Sequence, residues 1–356
     1  MDSLSQLSLG AAVGVAVMGR RAGVGKAALI GAFFGTLPDL DVLIDYGDPV
    51  SNMTYHRGDS HSLFYLSLLS PLFAWLLCRL PGQQRHWKRW TLTLALILIT
   101  HVLLDNMTVY GTQLARPFTD YPFGIGSIFI MDPLYTLPLL LGLMVALFRR
   151  GSKGLSANRL GLVLSTLYLC WSLVAQWQVG QTADRVLAEQ GIQVERRLIT
   201  PTAFNTLLWR MLVITPSGYS EGFISLLDRE PPQFIRHEQG QELYQQWRHH
   251  PHVARLAWFS KGFFRMSERQ GQLLITDLRM GQEPSYTFSF VVAERGPTRQ
   301  WQALSIPRQL GERPPMRLAF NWLWRRALGE PLPPLHRWLD DVHYHAGPVS
   351  APGPGL

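Results

Sequence analysis

Six apolar stretches crowd into the first half of this 356-residue chain, at 4–19, 26–37, 61–80, 91–107, 133–148 and 160–178, and the second half reads like a soluble sequence. A hydrocarbon core of ~30 Å takes ~20 apolar residues of helix, fewer where a helix end is sheltered by protein. The expectation is an α-helical polytopic membrane bundle over 1–178 with about five or six membrane helices, one of them (26–37) too short to span alone. The mean hydropathy of +0.04 averages over this split and hides it. The first stretch reads as a span and not as a secretory signal, because its positive charges follow the apolar run and no small-residue cleavage pattern succeeds it.

Charge distribution supplies the orientation. The bundle has 13 Lys and Arg, and 11 sit in three short stretches: Arg20, Arg21, Lys26; Arg79, Arg85, Lys88, Arg89; and Arg149, Arg150, Lys153, Arg159. The positive-inside rule makes these cytoplasmic. The 38–60 loop, the 109–131 loop and everything after 178 are then expected on the outer side. All nine acidic residues of this half are Asp, each at or near an outer end. Acids contribute little to topology, so a site requirement is the candidate reason. The net charge of +8 is largely topological, since residues 179–356 carry 20 basic against 16 acidic groups, and no nucleic-acid partner is expected.

The chemistry gathers between the apolar stretches. Pro38-Asp39-Leu40-Asp41 and His56-Arg57-Gly58-Asp59-Ser60-His61 form one polar interlude. His101 and Asp105 are four apart and share one face of an apolar helix; Asp132 stands before Pro133 at the opening of the next. Intramembrane ionisable groups mark function by default, although ion pairs, proton relays and turn chemistry use the same residue types. The coincidence of four motifs on one side carries the reading of Asp39, Asp41, His56, His61, His101, Asp105 and Asp132 as metal ligands. Mixed imidazole and carboxylate sets suit zinc, manganese or iron, and without Cys a thiolate zinc site is excluded. Seven ligands exceed what one tetrahedral ion uses, so two ions ~3.5–4 Å apart are expected. Arg57 could grip a phosphate oxygen or snorkel to the lipid interface. With no Glu in this half, any general base is one of the Asp residues or the metal hydroxide itself, and Asp41 and Asp59 join Arg57 as the catalytic candidates. His249, His250 and His252, and His343 and His345, read as exposed loop and tail residues.

Beyond 178, a short helix over 182–190 is expected to bridge to a soluble, β-rich extracytoplasmic domain (179–330). Runs at 207–214, 253–259, 262–266, 272–278 and 286–293 are rich in β-branched and aromatic residues and are separated by turn material. They suggest an antiparallel meander or small sandwich. A Pro- and Gly-rich tail over 331–356 is expected to be disordered.

These motifs carry a resemblance. Met1-Asp2-Ser3-Leu4 with Gly10-Ala11-Ala12, the Leu37-Pro38-Asp39-Leu40-Asp41 turn, His56-Arg57-Gly58-x-x-His61-Ser62 and His101-x-x-x-Asp105 look like the predicted membrane-bound metal-dependent hydrolases of the bacterial inner membrane. Some members of that family are under control of the SOS repressor. The likeness is close over about the first 150 residues, and Pro201-x-x-x-Asn205 and Asp277-Leu278-Arg279 look like the extension of its longer members. The family is distantly similar to zinc-dependent phospholipase C and the P1-type nucleases. That likeness implies a helical phosphoesterase core holding one to three divalent ions, zinc first. Shorter relatives place a His near the amino terminus where this chain has Gln6, which leaves one coordination position absent or filled by water.

The expected function is a metal-dependent hydrolase acting at the outer leaflet on a phosphoester in a membrane lipid or lipid-linked molecule, with the soluble domain shaping the entrance. Amide or ester cleavage at the same metal is the nearest alternative. A metal or proton transporter and a metal-braced assembly factor are the non-enzymatic ones. A transporter would spread ionisable groups through the membrane depth, whereas here they gather at one end.

Overall fold

The structure is a computed structural model, and it describes residues 1–149, 151–311 and 315–339. Each of the six apolar stretches is helical. The bundle runs α1 (Ser3–Ala22), α2 (Val24–Thr36), the short α3 (Pro49–Tyr55), α4 (Leu63–Leu77), α5 (Trp87–Asn106), α6 (Pro133–Phe148) and α7 (Ser152–Glu189). By length and composition, two of the described helices could cross a membrane, the 84–106 segment and α7. The number becomes three if Pro49–His61 and Leu63–Leu77, bent by 52°, form one broken span. Five or six spans are not established: α2 and α6 have only 13 and 16 residues. Outward-facing Leu29, Leu68, Leu72, Leu141, Leu160 and Leu167 leave an apolar exterior suited to hydrocarbon.

Helix α1 is the centre of the bundle, touching α2, α5, α6 and α7. Its crossing with α2 is a backbone contact. A Cβ on Gly10 would lie 2.3 Å from the Gly31 carbonyl oxygen, and one on Gly31 would lie 2.2 Å from that of Gly10. Small residues permit such an approach, and any side chain there would push the helices apart. The contact draws the Gln6 turn of α1 against Gly35 at the end of α2, which is where the site forms.

Helix α7 runs 38 residues, roughly 57 Å at 1.5 Å per residue, without a break. The separate helix expected over 182–190 is therefore the last part of α7, and the boundary expected after 178 falls inside it. Buried Val179, Ala183, Val186 and Leu187 continue one stripe at helical spacing, so nothing local ends the helix.

The C-terminal part holds two four-stranded antiparallel sheets. One has the order β1 (Arg196–Pro201), β2 (Leu208–Thr215), β3 (Gly218–Ser225), β4 (Phe234–His237). Two short helices follow, α8 (Gln241–Trp247) and α9 (Pro251–Phe259). The second sheet is built from β5 (Phe264–Arg269), β6 (Gln272–Asp277), β9 (Ser289–Arg295) and β10 (Trp301–Leu310) in the order β10-β9-β6-β5, with a small hairpin, β7 (Gly281–Gln282) and β8 (Ser285–Tyr286), between. Helix α10 (Met316–Ala327) closes the described fold.

The strand expected at 253–259 is α9. Pro251 sits in its first turn, and buried Val253, Leu256 and Ala257 follow helical spacing, a pattern short enough to be mistaken for an apolar strand. The expected disorder of 331–356 fails at its start, because Leu335 and Leu339 pack with Trp322, Phe223 and Leu208. His343 and His345 lie outside the described residues.

Candidate metal centre

Four side chains from three segments converge at one end of the bundle. Asp39 comes from the 3-10 turn Pro38–Leu43 after α2, His61 from the turn Asp59–His61 before α4, and His101 and Asp105 from the end of α5. One ligand-type atom of each lies within 4.8 Å of all the others. Asp39 Oδ1 is 3.3 Å from His61 Nε2 and 3.5 Å from His101 Nε2; Asp105 Oδ2 is 3.1 Å and 3.5 Å from the same two atoms. The two Nε2 atoms are 3.2 Å apart. Ligands held ~2.0–2.1 Å from a tetrahedral zinc ion are separated by about 3.3–3.4 Å, which these five spacings bracket. The side chains of His61, His101 and Asp105 are buried, whereas that of Asp39 is 20% exposed and forms the open side.

Neighbouring groups aim these atoms inward. His101 Nδ1 donates to the Gly35 carbonyl oxygen at 2.7 Å, which leaves the Nε2 lone pair free. Ser60 Oγ donates to Asp41 Oδ2 at 2.6 Å and so accepts from His61 Nδ1 at 2.9 Å, giving His61 the same tautomer. The Oδ1 of Asp105 receives Gln6 Nε2 at 3.0 Å, Arg57 Nη2 at 3.3 Å and the Met1 nitrogen. Its Oδ2 is buried without a hydrogen-bond partner, as is Gln6 Oε1. Four acceptor atoms with few protons among them repel one another and carry a desolvation cost unless a cation lies between them. The donor set fits a divalent ion of borderline hardness, and Asp39, His61, His101 and Asp105 could hold it.

The other residues singled out in the sequence stand elsewhere. Asp41 is outside the cluster and organises the turn behind it, accepting from His56 Nδ1 at 2.7 Å, Arg57 N at 2.9 Å and Ser60 Oγ. His56 is half-buried, with its ring centroid 6.1 Å from that of His61; the structure brings it beside the cluster without joining it. Burial works against ionisation of Asp41. The hydrogen bond from His56 nevertheless holds Asp41 below the ordinary carboxylate range. Asp59 is exposed and pairs with Arg116 Nη1 at 3.0 Å, pointing away from the centre. Asp132 caps α6, accepting from Leu134 N at 3.0 Å, and takes the Tyr168 hydroxyl at 2.8 Å. Capping chemistry explains that aspartate, and of the seven residues the structure brings four together.

Arg57 is buried and does not snorkel to an exposed surface. It is 4% exposed, holds a φ of +65°, and lays its guanidinium 4.8 Å over the Tyr110 ring. Its Nη1 donates to Thr108 Oγ1 at 3.2 Å, and its Nε has no hydrogen-bond partner. A left-handed conformation in a non-glycine residue costs ~1–3 kcal/mol and persists where the surroundings demand it. Here they are the Asp41 bond to Arg57 N and the bond from Gln113 N to Arg57 O at 3.0 Å.

The C-terminal domain reaches this turn directly. Tyr110 donates its hydroxyl to Met53 O at 2.7 Å and meets Phe259 and Phe288 edge-on, at centroid distances of 5.8 and 5.9 Å. Val50, Met53 and Tyr110 share one buried cluster with Val253, Leu256, Phe259 and Phe290. Arg255 Nε donates to Thr54 Oγ1 at 2.9 Å, and its guanidinium stacks 4.1 Å over Tyr55. His252, expected in an exposed loop, is partly buried with Nδ1 3.5 Å from Asp48, the cap of α3. Sequence reasoning missed Ser60, Tyr110 and Thr108. Ser60 stood inside the most specific motif at a position treated as variable, and the other two have no local signal.

No solved structure matches the chain. The uncharacterized protein YfhP of Bacillus subtilis (strain 168) is 26% identical over 242 residues, covering 64% of this chain and 71% of that protein. The model of the YdjM inner membrane protein family matches residues 1–179, which include the four-residue centre. The chain therefore belongs to the YdjM inner membrane protein family, the predicted membrane-bound metal-dependent hydrolases whose motifs it bears, in a long form with a β-rich C-terminal extension.

Proposed function

We propose that Asp39, His61, His101 and Asp105 bind a divalent transition-metal ion, zinc first, and that the protein hydrolyses a phosphoester in a lipid or lipid-linked substrate at the outer face of the inner membrane. One observation carries the reading: five inter-ligand spacings of 3.1–3.5 Å around buried, inward-aimed lone pairs. A bound ion would supply Lewis acidity and make a coordinated water acidic enough to attack near neutral pH.

The chain's own groups divide the remaining work. His56 donates from Nδ1 to the Asp41 carboxylate, the arrangement that leaves Nε2 to accept or return a proton beside the centre. Arg57 holds the Oδ1 of Asp105 and keeps Oδ2 turned to the ion, a positioning task in place of the phosphate grip expected of it. Asp39 lies on the exposed side, where substrate would approach. A site at the ends of apolar helices suits amphiphiles, whose scissile group sits at headgroup level.

A second reading has one observation in its favour. Four protein ligands complete a tetrahedron, the arrangement of structural zinc, whereas catalytic sites keep a position open. A metal-braced assembly factor would look the same unless Asp39 yields its place to substrate or water.

The experiment is elemental analysis of the purified protein together with turnover of a fluorogenic phosphodiester lipid, for wild type, His101→Ala and His56→Gln. Catalysis predicts metal in wild type, none in His101→Ala, and metal without turnover in His56→Gln. Stoichiometric metal with no hydrolysis of phosphodiester, ester or amide lipids by wild type would favour the brace.

A further inference from the structure

Helix α10 belongs to the C-terminal domain, yet its outer side does not look like an ordinary solvated surface. Trp322, Leu323, Arg326 and Ala327 face inward; Trp322 meets Phe223 edge-on at 5.3 Å, and Arg326 Nη2 binds Asp228 Oδ2 at 2.6 Å. Met316 and Phe320, one turn apart on the other side, are 67% and 49% exposed, and Leu328 beyond the helix is exposed too. The helix has no acid, and its exposed arginines are Arg317 and Arg325, the latter paired with Glu330 just beyond it. An exposed apolar row among arginines is the composition of helices that lie in a membrane interface.

Bonds to the bundle set the level of that row. Asp132 marks the point where α6 begins its exposed apolar face of Leu134, Leu137 and Leu141. The Tyr168 hydroxyl binds Asp132 and lies 3.1 Å from Thr206 Oγ1, which also receives Trp171 Nε1 at 3.2 Å. Trp171 and Trp177 are exposed on α7, as in the aromatic belts at bilayer surfaces. The 202–207 loop between β1 and β2 is therefore tied to this end of α6 and α7. From it Phe204 reaches both ways, its ring 5.9 Å from Phe129 just before α6 and 6.3 Å from Phe320, which in turn is 6.0 Å from Trp324. A continuous line of rings thus connects the lipid-facing start of α6 to the outer side of α10.

We propose that α10 is a membrane-surface anchor of the C-terminal domain, with Met316 and Phe320 entering the headgroup region of the bilayer that holds the bundle and Arg317 meeting anionic phospholipid. The anchor depends on the membrane placement of the family and not on the metal reading. It holds the domain against the bilayer on the α6–α7 side, while α9 grips the metal-site turn.

The test uses the full chain with Cys78→Ser and Cys170→Ser, carrying one bimane-labelled cysteine at Phe320→Cys, at Gln300→Cys in the exposed turn between β9 and β10, or at Leu141→Cys on α6 as calibration. Each is reconstituted in phosphatidylethanolamine–phosphatidylglycerol vesicles containing acyl chains brominated near the headgroup. Quenching at position 320 should approach that at 141 and exceed that at 300 by about threefold or more. Quenching at 320 equal to that at 300 would overturn the proposal, including the case where a second copy of the chain covers the row instead. Phe320→Asp should lower quenching of a label at Met316→Cys to the level at 300; undiminished quenching there would also count against it.

Discussion

The Nε2 atoms of His61 and His101 face each other across 3.2 Å, each ring having its Nδ1 engaged by an oxygen on the far side. A cation lying between two lone pairs at that distance, with the Asp105 and Asp39 carboxylate oxygens beside them, would relieve their repulsion. Chelation of the purified protein should therefore lower its thermal midpoint, and zinc should restore it. The stabilisation reaches about 4 kcal/mol when free ion stands a thousandfold above Kd. Differential scanning fluorimetry with and without chelator measures it, and an unchanged midpoint would be incompatible with an ion at this position.

Asp41 holds His56, Arg57 and Ser60 and lies outside the four-residue cluster. Asp41→Asn should keep metal, with affinity down by roughly 10–100-fold as for other outer-shell partners. Turnover should fall by about 10²–10⁴-fold, the usual worth of a positioned acid–base group. Asp39→Asn should lose the ion itself. Competition titration with a zinc chelator separates the two variants.

Asp132 is a helix cap with a tyrosine partner. Asp132→Ala should leave metal content equal to wild type and cost about 1 kcal/mol of stability from the lost cap. Elemental analysis decides it, since loss of the ion would return Asp132 to the ligand set.

Phe259 stands behind Tyr110, on whose face Arg57 rests. Phe259→Ala should cost about 3–5 kcal/mol. By loosening Arg57 from Asp105 it should also weaken metal binding about tenfold, within the range for outer-shell changes. Trp322→Ala, in the separate cluster under α10, should destabilise the domain to a similar degree and leave metal affinity alone. Equal metal affinities for the two variants would mean that the C-terminal domain does not position the site.

Within the C-terminal domain, burial opposes ionisation of Glu283, but the Arg265 guanidinium 2.8 Å away and the Tyr219 hydroxyl overcome it and hold its carboxyl below the ordinary value. A depressed carboxylate stabilises the fold above its unfolded pKa and loses that contribution as pH falls through the folded one. Glu283→Gln should thus cost about 1–3 kcal/mol at pH 7. The difference should shrink as pH falls below the ordinary glutamate value and vanish once the folded-state carboxyl is protonated. Paired melts across that range check the sign.

The bundle was legible because membrane helices announce themselves locally, and the His56 to His61 element and the His101–Asp105 spacing pointed to the right end of it. The span number was not, since α1 is buried by its neighbours and α2 stops after 13 residues. The C-terminal domain was read less well. Its strands β1, β3, β4 and β10 carry polar or charged residues on faces that only the sheets make consistent, such as buried Glu221 on β3 held by Arg210 at 2.6 Å.

By itself the sequence determined a helical bundle with a β-rich extension, the end at which ionisable groups collect, and a ligand chemistry of imidazole and carboxylate. Periodicity and residue type encode these within a few turns of chain. Tertiary structure alone decided that Asp39, His61, His101 and Asp105 face one another while Asp41, His56 and Asp132 serve behind or beside them. That choice rests on spacings of a few ångströms set by contacts between remote residues, such as the Gly10–Gly31 crossing and the bond from His101 to Gly35, which no local pattern records.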